Sequence, residues 1–176
     1  MERKLILYIA SSLDGYIAQP GDRLDFLDLV QMEGEDYGYA DFNETVDAVI
    51  LGKRTYDWVM NQVPEFPHQG KETYVLTRGQ YPSIGTVNFY SGDLSELVEG
   101  LKSRVGKNIF VDGGAQTVNR LLKAQLLDEL IISFIPVLLG EGIRLFQEGI
   151  PEEKLELISS RSYSSGLVQV HYRVKK

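Results

Sequence analysis

The chain has 176 residues, 43% of them hydrophobic, and a formal net charge of −7. This length predicts a single domain over residues 1–176, and the absence of cysteine excludes disulfides and thiolate chemistry. The acidic balance argues against a nucleic-acid partner. The first apolar run, residues 5–10, is too short for a signal sequence or a membrane span, so we expect a cytoplasmic protein with no membrane partner.

The first two-thirds of the chain alternates short apolar runs with amphipathic segments. The apolar runs predict buried strands at residues 5–10, 48–51, 74–76, 87–90 and 109–111. Helical spacing predicts a helix capped by Asp22 and running to Val30, followed by helices over 41–46, 53–61, 94–101 and 115–122. Such an alternation of strands and helices is typical of an α/β protein with a mostly parallel sheet.

In the last third of the chain, the pattern predicts strands without helices between them. Residues 129–137 predict a long strand, and residues 155–163 and 167–173 predict an antiparallel hairpin with Gly166 in the left-handed position of its turn. The sheet is therefore expected to be mixed at one edge. Because ligands bind beyond the carboxyl ends of the strands in such sheets, the loops that follow the strands are where chemistry is expected.

One of these loops carries a glycine followed by two cations. Gly52 ends a buried strand, and Lys53, Arg54 and Thr55 open the next helix. Helix N-termini attract anions, whereas each cation placed there opposes the helix dipole by up to about 1 kcal/mol. An anion held between the two cations explains their position, although a solvated first turn with incidental basic residues explains it about as well.

Two further loops strengthen the case for a phosphate ligand. Arg78 follows Thr77 at a strand end, where it can fork onto phosphate oxygens, although alone it is more simply a surface arginine in a turn. Gly113 and Gly114 allow a backbone to approach a pyrophosphate closely. Several phosphate sites with clustered cations predict NADPH rather than NADH, without the G-x-G-x-x-G or Walker A motifs.

Four motifs occur in the order found in a known family. They are SLDGYIA at 12–18, LGKRTY at 51–56, FVDGGA at 110–115 and IPVLLGEG at 135–142. Together they resemble the RibD C-terminal domain family, which has the dihydrofolate reductase fold. The resemblance implies a three-layer α/β architecture, a mixed eight-stranded sheet and NADPH-dependent hydride transfer.

The resemblance also implies roles for individual residues. The Gly-Lys-Arg-Thr turn and the Thr-Arg strand end would hold the adenine-side phosphates, the Gly-Gly turn would meet the pyrophosphate, and the loop after the first strand would lie along the nicotinamide. The implied cofactor-binding residues are Leu13, Gly15, Ile17, Gly52, Lys53, Arg54, Thr55, Thr77, Arg78, Gly113, Gly114, Ala115 and Gln116. The implied substrate border is the loop of Gly140, Glu141 and Gly142.

The chain departs from the dihydrofolate reductase pattern in its first loop. Pro20 is followed by Gly21 where those enzymes have a tryptophan. Asp25 is the nearest match to their folate-binding acid, with Asp28 one turn on, so Asp25 is the predicted catalytic and substrate-contacting residue. Compensation of the helix dipole explains Asp25 equally well. The zinc deaminase domain of the riboflavin-pathway enzyme is missing, and no metal site is predicted.

These features predict an NADPH-dependent reductase of a small pteridine- or pyrimidine-like heterocycle. The alternatives are a non-catalytic nucleotide-binding module on the same fold and a true dihydrofolate reductase. His68 and His171 lack metal-ligand spacing and are expected to be structural or exposed. The resemblance also suggests a homodimer, with Tyr163 and Tyr172 in its interface or, equally, in the core.

Overall fold

The computed structural model, which describes residues 2–176, contains ten strands, four α-helices and one 3-10 helix in that part of the chain. The strands are β1 (Leu5–Ser12), β2 (Tyr16–Ala18), β3 (Val46–Gly52), β4 (Glu72–Leu76), β5 (Val87–Tyr90), β6 (Asn108–Gly113), β7 (Glu129–Ile135), β8 (Ile143–Arg144), β9 (Leu155–Ser162) and β10 (Val168–Val174). The helices are α1 (Tyr39–Glu44), α2 (Lys53–Gln62), α3 (Leu94–Lys102) and α4 (Ala115–Lys123), and the 3-10 helix covers Asp25–Val30.

Eight of these strands form one sheet in the order β5-β4-β3-β6-β1-β7-β10-β9. The pairs from β5 to β7 are parallel, and the C-terminal hairpin joins β7 through antiparallel pairing with β10. The predicted mostly parallel sheet with an antiparallel C-terminal hairpin is therefore confirmed. Gly166 lies in the hairpin turn with φ +90°, as predicted. β2 and β8 form a separate two-stranded sheet.

Helices cover both faces of the sheet and give three layers. Alternation along β6 sends Ile109 and Val111 to one face, where they pack with apolar residues of α3 and α4. Phe110 points to the opposite face and packs with Phe42 of α1 and Tyr56 of α2. None of the helices in residues 2–176 is long and apolar enough to cross a membrane.

The segment after β1 differs most from the prediction. β1 extends through Ser11 and Ser12, which are fully buried, and the short strand β2 occupies part of the predicted loop. The predicted helix N-cap at Asp22 is wrong. The helix is a 3-10 helix that begins at Asp25, and Asp22 adopts φ +59° in the loop before it. The Asp22 carboxylate pairs with Arg54 instead of capping a helix.

Ion pairs link neighbouring strands at the amino end of β7. Glu129 at the start of β7 is buried and lies 2.6 Å from Lys4 Nζ and 2.8 Å from His171 Nε2. Burial would raise the pKa of Glu129, but the hydrogen bonds from Lys4 and His171 outweigh it and lower the pKa. His171 thus has the structural role expected for it. The predicted site residues lie at the opposite end of the sheet, beyond the carboxyl ends of the strands.

Candidate functional site

Two helices begin at the ends of the neighbouring strands β3 and β6. α2 begins directly after Gly52, and α4 begins after Gly114. Neither helix has a side-chain cap or an acidic residue in its first turn. α3, in contrast, is capped by Asp93, whose carboxylate accepts a 3.0 Å hydrogen bond from the Glu96 amide. The first-turn N–H groups of α2 and α4 are therefore arranged to receive an anion.

The two helix starts pack against each other through glycine and threonine. A Cβ atom on Gly114 would lie 2.9 Å from Thr55 Oγ1, and one on Gly52 would lie 3.0 Å from Thr117 Oγ1. Each glycine thus leaves room for the threonine of the opposite helix. Gly113 has φ +120°, which side-chain-bearing residues rarely adopt, and the Gly113–Gly114 peptide bond is cis. Sterics at this contact explain the glycines, and the same contact brings the two N-termini together.

The predicted cations lie at this edge of the sheet, and two of them pair with carboxylates. Arg54 Nη2 lies 2.7 Å and 2.9 Å from the two carboxylate oxygens of Asp22. Lys53 Nζ lies 2.6 Å from Asp57 and 5.0 Å from the centre of the Tyr81 ring. Thr77 and the exposed Arg78 follow β4, the neighbour of β3, and Thr77 Oγ1 accepts a 3.1 Å hydrogen bond from the Gly79 amide. The Asp22 contact is one that sequence patterns did not reveal.

The loop after β1 is clamped to the loop after β7 by Asp14. Its carboxylate accepts hydrogen bonds from the Ser12 hydroxyl at 2.6 Å, from the Leu139 amide at 3.0 Å and from the Gly140 amide at 2.7 Å. The Ser12 hydroxyl contributes most to lowering the pKa of Asp14 to about 2, and the two amides add to it. The carboxylate therefore holds the two loops together while it is ionised.

The remaining predicted residues, in the loops after β1 and β7 and at the start of α4, lie in different environments. Leu13 is 63% exposed at the sheet edge, whereas Ile17 packs against the core. Ala115 is buried at the start of α4 and Gln116 is exposed beside it. The predicted substrate border, Gly140–Gly142, is bound to the loop after β1, and its Glu141 is exposed. Their roles towards a cofactor or substrate stay predictions.

A cavity of about 670 Å³ lies on the sheet face that carries the 3-10 helix. We call it the sheet-face cavity. It opens between the carboxyl halves of β1 and β7 and the segment 27–39. Its lining residues are Tyr8, Ala10, Leu27, Val30, Gln31, Met32, Glu33, Glu35, Asp36, Tyr37, Tyr39, Ser133, Ile135 and Leu167. The volume suits a small heterocyclic ligand.

Asp25 does not line this cavity. Its side chain is 67% exposed and lies 3.3 Å from Arg23 Nη1. The 3-10 helix turns Phe26 and Val30 inward instead, and both are buried. The geometry therefore gives no support to the prediction that Asp25 is the catalytic acid, because its side chain is largely exposed and pairs with Arg23.

On the same face, a buried histidine pairs with a partly exposed aspartate, and the sequence did not predict this pair. His68 is 4% exposed, and its Nε2 atom lies 2.8 Å from Oδ2 of Asp112, the residue before Gly113. Tyr39 lines the cavity, and its pKa is raised to about 12. Burial is the main cause, and the negative charge of Asp112 adds to it. Alternation along β6 places Asp112 on the face of Phe110, which was a usable signal. No pattern orients His68, which lies in a loop.

The fold and the paired glycine turns define a member of the RibD C-terminal domain family. The model of that family matches residues 58–169, and the chain belongs to it. The chain is 45% identical to the uncharacterized protein YwjB of Bacillus subtilis (strain 168), over 98% of both chains.

Solved structures show the same fold. A candidate riboflavin biosynthesis protein from Shewanella sp. PV-4 superimposes with a TM-score of 0.89, at 30% identity over the full length of both chains. A Thermotoga maritima diaminohydroxyphosphoribosylaminopyrimidine deaminase/5-amino-6-(5-phosphoribosylamino)uracil reductase superimposes with a TM-score of 0.71 at 15% identity. That match covers 99% of this chain and 57% of the Thermotoga chain, and it shows a shared fold.

The Gly114–Thr55 contact predicts a coupled effect on stability. Gly114→Ala places a methyl group against Thr55 Oγ1 and should lower the free energy of unfolding by about 1–3 kcal/mol. Thr55→Ala in the same chain should restore part of that loss, because the two residues are in contact. Urea unfolding of the four proteins measures the coupling. Gly100→Ala, where a Cβ meets nothing within 4 Å, is the control. Additive effects, or a stable Gly114→Ala protein, would contradict the packing described.

The Asp14 clamp predicts a dependence of stability on pH. The folded-state pKa of Asp14 is below its ordinary value of 3.8, so its contribution is present above about pH 4 and lost as the pH falls towards 2. Asp14→Asn should therefore be less stable than the wild type at pH 6, and the difference should shrink as the pH falls to 2.5. Chemical unfolding at several pH values measures it. A difference that stays constant over this range would argue against the clamp.

Proposed function

We propose that the chain is an NADPH-dependent reductase of a small pyrimidine- or pteridine-like heterocycle. Membership of the RibD C-terminal domain family supports an oxidoreductase, and the name of the Thermotoga protein of the same fold includes a 5-amino-6-(5-phosphoribosylamino)uracil reductase. The observation that carries the proposal is that two uncapped helix N-termini, after β3 and β6, and a heterocycle-sized cavity, beside the neighbouring strands β1 and β7, lie towards the carboxyl ends of the same sheet.

The residues at the strand ends fit the proposed cofactor. NADPH, when bound, supplies the hydride, and the protein supplies its orientation and electrostatic environment. Gly113, Gly114 and the first turn of α4 would hold the pyrophosphate, because the amides at this helix start have no side-chain cap. Arg54 and Arg78, at the ends of adjacent strands, would hold the adenine-side phosphate.

The carboxylate of Asp22 occupies the proposed phosphate site. Arg54 Nη2 donates to both of its oxygens, and this contact supports a role for the guanidinium in binding an anionic group. A 2′-phosphate would have to displace this carboxylate or share the guanidinium with it. In either case the negative charge of Asp22 opposes the phosphate. Asp22 therefore reduces the preference for NADPH that Arg54 provides.

Arg54 and Asp22 are expected to change cofactor affinity in opposite directions. Arg54→Ala should raise the Kd for NADPH by about tenfold and that for NADH by less than about threefold, because only NADPH carries the 2′-phosphate. Asp22→Asn should lower the Kd for NADPH by about threefold. Nicotinamide fluorescence titration measures both, with Arg120→Ala, an exposed arginine of α4, as the control. Equal weakening of both cofactors by Arg54→Ala would show that Arg54 does not contact the 2′-phosphate.

We propose Asp112 for substrate contact in place of Asp25. Asp112 is not one of the residues that line the cavity, but it is the next-to-last residue of β6, and its charge acts on Tyr39, which does line the cavity and whose pKa it helps to raise. The Asp112 side chain is 27% exposed. A carboxylate at this position can hydrogen-bond an amino-heterocycle or transfer a proton. His68 is a positioning residue: its buried ring packs edge-on against Phe110, and its Nε2 atom fixes the orientation of Asp112.

Substitution of each residue distinguishes the proposed role of Asp112 from the role predicted for Asp25. Asp112→Asn should lower kcat for NADPH oxidation with a uracil or pterin acceptor by about 10²–10⁴-fold, the usual range for loss of an acid–base group. Asp25→Asn should keep wild-type kcat, because its side chain lies outside the cavity. Circular dichroism checks folding of both variants. Loss of activity in Asp25→Asn alone would return the role to Asp25, and NADPH binding with no oxidation for any acceptor would favour a non-catalytic module.

We also propose that the protein forms a homodimer through the outer strand of the hairpin. All eight residues of β9 are exposed, and they include the large apolar side chains of Leu155, Leu157 and Ile158, each 40–53% exposed. Exposed edge strands of this kind pair readily with a second chain. Light scattering should give the mass of two chains, and Leu157→Lys should shift it to one. A wild-type mass of 19.9 kDa would exclude the dimer.

A further inference from the structure

The sheet-face cavity has an acidic mouth. Three of its fourteen lining residues are acidic, namely Glu33, Glu35 and Asp36, and none of the fourteen is lysine or arginine. The cations of the proposed cofactor site, Lys53 and Arg54, lie on α2 and do not line this cavity. The two parts of the site therefore present charges of opposite sign to their ligands.

Two of the acidic side chains are fixed in place by the backbone. Asp36 accepts hydrogen bonds from the amides of Gly38 and Ala40, both at 2.9 Å, and these bonds lower its pKa. Glu35 accepts a 2.7 Å hydrogen bond from the Tyr37 amide. The negative charge at the mouth is thus a fixed property of the segment between the 3-10 helix and α1.

The polar side chains at the floor of the cavity, Tyr8 and Ser133, are uncharged. Gln169, which does not itself line the cavity, holds them in place: its Nε2 atom lies 3.2 Å from the Tyr8 hydroxyl and 3.0 Å from the Ser133 hydroxyl. Tyr8 donates to the Tyr37 carbonyl at 3.0 Å. Burial is the main cause of the raised pKa of Tyr8, so the phenol stays protonated. Amide and hydroxyl groups of this kind recognise ring nitrogens, carbonyls and amino groups. The tyrosine rings that line the cavity offer faces for stacking.

We propose that the sheet-face cavity takes an unphosphorylated, amino-substituted heterocycle that carries no negative charge. The inference rests on the proposed function, and it separates the substrate of this chain from the phosphoribosyl uracil in the name of the Thermotoga protein. A phosphate at this mouth would face three carboxylates with no lining cation to offset them. A neutral or cationic amino-heterocycle would meet hydrogen-bonding partners at the floor and a favourable field at the mouth.

A matched pair of ligands tests the charge preference without depending on turnover. The pair is 5-amino-6-(5-phosphoribosylamino)uracil and the same compound after removal of its phosphate, each titrated calorimetrically into the full chain. The unphosphorylated compound should bind about tenfold more tightly or better. Equal affinities, tighter binding of the phosphorylated compound, or no binding of either would overturn the inference. NADPH titration of the same sample tests the proposed function separately, since that result depends on the α2 and α4 N-termini.

A charge reversal at the mouth tests whether its acidic residues cause the preference for the unphosphorylated compound. Glu33→Lys should strengthen binding of the phosphorylated compound by about threefold or more and leave the unphosphorylated one nearly unchanged. Glu33 is exposed, so the variant should fold normally. Glu99→Lys, at an exposed position on α3, gives the same change in net charge away from the cavity and should have no effect. A similar effect of both variants would assign the preference to overall charge rather than to the mouth.

Discussion

Reciprocal packing of two glycines and two threonines is the contact on which the candidate site depends. β3 and β6 are neighbours in the sheet, and Leu51 pairs with Gly113. Because Gly52 and Gly114 lack side chains, Thr117 and Thr55 can each reach across to the opposite strand end. Two helix N-termini are thereby brought to adjacent positions with their amides uncapped. A bulkier residue at either glycine would push the helices apart and separate the two halves of an anion site.

Charge is distributed unevenly around this contact. The chain is acidic overall, yet Lys53, Arg54 and Arg78 gather at the ends of β3 and β4. The carboxylates of residues 33–36 gather at the mouth of the neighbouring cavity. In the proposed function, a ligand with phosphates and a ligand without them would bind at different parts of one sheet edge. Local charges would be enough to separate them, because the fields of exposed charges decay within about 10 Å at ordinary ionic strength.

The sheet and its glycine turns were predictable from sequence because they follow local rules. Buried strands are apolar runs, and a glycine between a strand and a helix permits close approach, so β3, β6 and the turns at Gly52 and Gly114 were found. The partners of these elements were not predictable. The Asp22–Arg54 pair joins residues 32 apart, and the His68–Asp112 pair joins residues 44 apart, through loops that carry no periodic signal. The exposed position of Asp25 was not predictable either, because helical periodicity does not describe a 3-10 helix.

The uncapped starts of α2 and α4 are proposed to bind a phosphorylated dinucleotide. Calorimetric titration of the full chain with NADPH at low and high salt measures this binding. It should be saturable at one site per chain and should weaken as salt screens the contacts between phosphate and cations. Absence of heat at either salt concentration, or binding that does not respond to salt, would contradict it.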